Sequence, residues 1–99
     1  MKLLHINRND DRYMHPDLTA YVQSEKREDL LVIGDMIRES ELFDFALISL
    51  NIEPAMVNTA SNETAEIHYI GSYRLKPKRE RTVIENMYRI KSWINNRTE

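Results

Sequence analysis

Cysteine is absent from this 99-residue chain, which removes disulfides, thiolate metal sites and a cysteine nucleophile from consideration. Glycine occurs twice and proline three times, well apart, so there is neither a glycine-rich phosphate loop nor a proline-rich linker. No apolar run approaches the ~20 residues of a membrane-spanning helix, so no membrane partner is expected. Met1 to Asn7 turns polar too early for a signal peptide, and the expected location is cytoplasmic. What the chain does contain is enough apolar residue, 41% beside 30% charged, to build one core. A single domain over residues 1–99 is the expectation.

The charge is divided. Residues 1–73 hold 6 Lys/Arg against 13 Asp/Glu, a balance of −7, while residues 74–99 hold 8 against 3, a balance of +5. An acidic body is therefore joined to a basic C-terminal segment. Such asymmetry bears on partners rather than on fold.

Lys2–Ile6 reads as a short strand, and His15-Pro16-Asp17 as a helix entry. Leu18, Tyr21 and Val22 then fall at i, i+3, i+4, predicting a helix over 16–27. Leu30 to Ile33 closed by Gly34-Asp35 suits a buried strand, since Gly34 would weaken a helix interior by ~1 kcal/mol. The same run also places Leu30, Ile33 and Ile37 on one helical face. Phe43 to Ile52 is nearly continuous apolar sequence and reads as a strand, followed by a loop over 55–63. Glu66 to Leu75 reads as a further strand with Gly71 as a kink or bulge. Thr82 with Glu85 forms a capping-box pattern ahead of Val83, Met87, Ile90 and Ile94, whose 4-3-4 spacing predicts an amphipathic helix. No internal sequence repeat is present. This order favours a small α/β layered fold of about four mostly parallel strands with flanking helices. The alternative is α+β, with 28–48 helical.

A parallel sheet would gather ligands beyond the carboxyl ends of its strands. Asp10, Asp11, Asp35 and Glu53 fall there and could hold Mg²⁺ for phosphoryl transfer or hydrolysis. No fixed-spacing motif supports that enzyme reading, and exposed loop carboxylates explain the same residues. His5, His15 and His68 have no ligand spacing, and Ser49 lacks a nucleophile elbow. The sequence thus favours a chain without catalysis or cofactor.

Phe43 to Ile52 resembles the third strand of the receiver domains of two-component signalling. Lys76-Pro77 ahead of the terminal helix is similar to that family's lysine–proline step, and Lys2–Ile6 to its first strand. The resemblance implies a doubly wound parallel fold. Ser49 stands at the phospho-acceptor position, Asn7 and Arg8 stand near the acidic pair, and Pro54 comes one residue late. What it implies is a shortened pseudo-receiver that works by binding.

Lys76, Lys78, Arg79, Arg81 and Arg89, interleaved with Tyr88 and Trp93, are the candidate partner-binding residues. Another protein is the favoured partner. The same surface could contact nucleic acid, but a dedicated binder usually has a basic overall balance. The stripe of Val83, Met87, Ile90 and Ile94 is expected to cover the core or a second subunit, making a homodimer. The favoured function is a small regulatory or adaptor protein.

Overall fold

The structure, a computed structural model, describes residues 1–9, 16–39, 44–58, 65–78 and 82–96. Six elements follow in the order β1 (Lys2–Arg8), β2 (Leu18–Ser24), α1 (Arg27–Arg38), β3 (Phe45–Asn58), β4 (Ala65–Pro77) and α2 (Val83–Asn95). The four strands form one sheet in the order β1-β2-β4-β3. Every neighbouring pair is antiparallel. This corrects the expected parallel α/β sheet. The connections over residues 9–17 and 59–64 are shorter than the dozen or so residues that a parallel crossover needs. Helices on one face of an antiparallel sheet make an α+β fold. The receiver resemblance falls with the parallel core it implied, because its supposed third strand is an antiparallel edge strand here.

Two assignments exchange places. The segment expected as a helix over 16–27 is strand β2, in which Leu18, Ala20 and Val22 are buried at 0–1% exposure. Their spacing of two wins over the i, i+3, i+4 reading because β2 lies inside the sheet, between β1 and β4. Conversely, Leu30 to Ile33 belongs to helix α1, which turns Leu30, Ile33, Gly34 and Ile37 inward. Gly34 sits at the helix–sheet contact, where a Cβ would lie 2.9 Å from Leu50 Cδ2. The glycine that argued against a helix is what lets the helix approach β3. Glu28 and Asp29 in its first turn and Arg38 in its last complement the helix dipole.

The expected loop from residue 55 is strand as far as Asn58, and residues 59–64 lie outside the described residues. Pro54 is tolerated because β3 is an edge strand. Gly71 is neither kink nor bulge, since both ladders pass through it in register. Its missing side chain makes room for the Tyr73 ring, whose Cε2 would be 3.0 Å from a Cβ there. The register shifts fall instead at Leu4 in β1 and Ile48 in β3.

The core lies between one sheet face and the two helices. Leu18, Ala20, Val22, Phe45, Tyr73 and Leu75 meet Leu30, Ile33 and Ile37 of α1 and Ile90 and Ile94 of α2. The Tyr73 hydroxyl donates to the Leu30 carbonyl, and burial raises its pKa well above the usual tyrosine range. The packing is crossed: α1, which follows β2, lies mainly over β3, while α2, which follows β4, lies over β1. The strand order reads the same when the two ββα halves are exchanged. None of the described helices is long and apolar enough to cross a membrane.

Candidate docking surface

Helix α2 divides its apolar residues between two stripes. Thr82 caps it as the sequence predicts, its hydroxyl accepting the Glu85 N–H at 3.1 Å. The predicted inner stripe closes the molecule's own core: Ile90 and Ile94 are buried, and Val83, Met87 and Trp93 pack against them. The neighbouring stripe holds Ile84, Tyr88 and Lys91 at i, i+4, i+7. Ile84 is 80% exposed and Tyr88 71%. Burying such side chains would be worth roughly 1.5–3 kcal/mol each.

Beside this stripe runs a groove of about 360 Å³ between α2 and β1. Its walls are Leu3, Leu4, His5 and Ile6 of β1 and Met87, Tyr88 and Lys91 of α2. Leu3 and Ile6 pack toward the core while His5 stacks on Tyr21 on the other side of the strand, so a depression touching all three passes along the strand's edge. β1 is the outermost strand on that side. The bulge at Leu4 leaves that side chain 38% exposed. On the far side of Tyr88, a second depression of about 380 Å³ is bordered by Ile84, Glu85 and Arg89. Tyr88 is therefore the ridge between two hollows.

Among the described residues, the basic side chains do not form one surface. By strand alternation Arg74 and Lys76 lie on the sheet face opposite the helices, where Arg74 pairs with Asp17 at 3.2 Å. Lys78 is exposed just beyond β4, and its backbone N–H donates to the Asp44 carbonyl at 2.7 Å. Arg79 and Arg81 lie outside the described residues. The Arg89 guanidinium is drawn onto the buried Asp44 carboxylate, tying α2 to the start of β3. Of the predicted partner-binding residues, Tyr88 stands on the groove, whereas Trp93 serves the core and Arg89 an internal ion pair. Leu3, Leu4, Ile6 and Ile84 were not foreseen. The i, i+4, i+7 spacing could have revealed Ile84, but the β1 wall follows only from strand order.

Of the expected Mg²⁺ ligands, Asp35 and Glu53 lie within the described residues. Asp10 and Asp11 lie outside the described residues. Asp35 pairs with Arg38 on the exposed side of α1, at 3.2 Å. Glu53 lies on the helix-free sheet face and accepts from Asn51 at 3.0 Å. Potential ligand atoms of Glu25, Glu66 and His68 do come within 4.8 Å of one another. The His68 ring is already engaged there, with Gln23 at 3.0 Å and Glu66 at 3.2 Å. His5 stacks on Tyr21 with ring centroids 4.4 Å apart, and His15 lies outside the described residues.

No family model, curated protein or solved structure matches this chain. Function must then be argued from the surface itself.

Proposed function

We propose that the chain is a small non-catalytic adaptor or regulatory protein of the cytoplasm that binds another protein at the α2–β1 corner. The supporting observation is the position of Ile84 and Tyr88. They stand exposed side by side while the inner stripe of the same helix is already covered by the chain's own sheet. Aromatic residues beside a hollow are the usual anchors of protein interfaces. Met56 and Ile67, exposed opposite each other in the β3–β4 hairpin, line none of the described grooves, and exposed Val32 borders only a smaller one of about 230 Å³.

Nucleic-acid binding draws less support. Arg74 and Arg89 each face a carboxylate, and Lys76 and Lys91 belong to different sides of the sheet. A stripe that tracks a phosphate backbone needs its cations together.

The test is affinity capture from host extract by the wild-type chain and by Ile84→Glu and Tyr88→Ala, with sedimentation of each alone. Both substitutions are at exposed positions and leave the thermal melt nearly unchanged. Loss of the same captured protein in both variants, by about tenfold or more in affinity, supports the reading. Equal capture by all three chains contradicts it. Capture that vanishes with nuclease treatment and moderate salt would replace it with the nucleic-acid alternative.

A further inference from the structure

The groove's shape specifies more than a greasy patch. Resting on the docking reading above, we infer that the partner enters as an extended segment, adding a strand to the outer edge of β1, with apolar side chains in the groove and a carboxylate near Lys91.

Three features of the corner lead to this occupant. First, β1 is an outermost strand, and such an edge offers main-chain N–H and C=O groups to an incoming strand. β1 spans seven residues, about 24 Å of extended chain. Second, the groove follows that edge and is walled by Met87 and Tyr88. An added strand directs every second side chain to the same side, so its alternate residues would fall against that wall. A helix laid on the corner would leave the main-chain groups of β1 unused. Third, the charge has one sign. β1 carries Lys2 and Arg8, Lys91 stands on the helix, and neither β1 nor the groove lining contains a carboxylate.

That charge also selects against a second copy of this chain at the same edge. Two β1 strands paired antiparallel about a twofold axis through His5 would bring Lys2 of one toward Arg8 of the other, a like-charge register that a sheet disfavours. The bulge at Leu4 further interrupts regular self-pairing and leaves His5 to Arg8 as the continuous stretch. An acidic, alternating apolar segment avoids the charge clash and can pair along the continuous stretch from His5 to Arg8.

The test begins with a phage-displayed library of random ten-residue peptides selected on the full-length chain. Selected sequences should alternate apolar residues and carry Asp or Glu. Synthetic copies should bind wild type and lose about tenfold or more in affinity to Tyr88→Ala. Lys91→Glu should weaken them similarly, with affinity restored when the peptide's Asp or Glu is exchanged for Lys. N-methylating alternate peptide amides should abolish binding in one of the two phases, and amide exchange within His5 to Arg8 should slow on binding. Selected peptides that bind at Tyr88 but tolerate every N-methyl group would overturn strand addition and leave the docking reading standing. Peptides indifferent to Tyr88→Ala and Lys91→Glu, or no selected peptide at all, would count against strand addition at this corner. The host-extract capture then decides the docking reading separately. Concentration-dependent dimerisation abolished by the same two substitutions would assign the edge to a second copy and refute the acidic segment.

Discussion

Tyr73 joins three parts of the molecule with one side chain. Its ring fills the space above Gly71, its body is in the core, and its hydroxyl donates to the Leu30 carbonyl of α1. Removing the oxygen with Tyr73→Phe should cost about 1 kcal/mol at neutral pH, measured by urea titration. The pH dependence has a definite sign. Burial raises the folded pKa above the usual value near 10, so the unfolded chain releases the proton first. The associated stability is complete at neutral pH and is lost as pH rises beyond about 10. Tyr73→Phe should therefore show a shallower decline than wild type above that pH. Equal slopes would place the alkaline loss elsewhere. Gly34 teaches a related lesson at the residue scale. Judged by helix propensity it argues for a strand, yet the 2.9 Å separation between its would-be Cβ and Leu50 shows that a close approach decides the matter.

At the scale of elements, α2 was legible because two independent signals agree: a Thr82 cap with Glu85 three residues on, and a repeating inner stripe. Replacing Thr82 with Ala should remove the hydroxyl acceptor at the Glu85 N–H and lower stability by about 1 kcal/mol, whereas Thr82→Asp should retain most of it. A thermal melt of the three chains measures the difference, and equal melting points would mean the cap contributes nothing. The strands around β3 and β4 were legible from their apolar density. β2 and α1 were not, because each rests on a window too short to separate periods of two and 3.6. Leu18 and Val22 satisfy both periods, and Ala20 settles the strand only once the sheet surrounds it. The candidate site divides the same way. Tyr88 stood out in the sequence, while the wall from Leu3 to Ile6 did not, because which strand lies outermost is a property of topology.

At the scale of the whole molecule, the hairpin of β3 and β4 outruns the rest of the sheet. β2 pairs with Tyr69 to Leu75, whereas Val57 and Met56 pair with Glu66 and Ile67 beyond it. The acidic-to-basic division of the sequence is not carried into two separate bodies, since the basic α2 lies over β1 from the acidic half. That crossed packing has a consequence for how the chain can be taken apart. A peptide ending at residue 39 keeps α1 but not the β3 surface beneath it, and one beginning at residue 44 keeps α2 but not β1. Synthesised separately, the two pieces should each remain largely unstructured, and mixing them should restore the helical circular dichroism with a one-to-one stoichiometry. Recovery of a cooperative melt by either piece alone would disprove that mutual dependence. A scaffold that reassembles from two inactive fragments is also a ready-made split reporter.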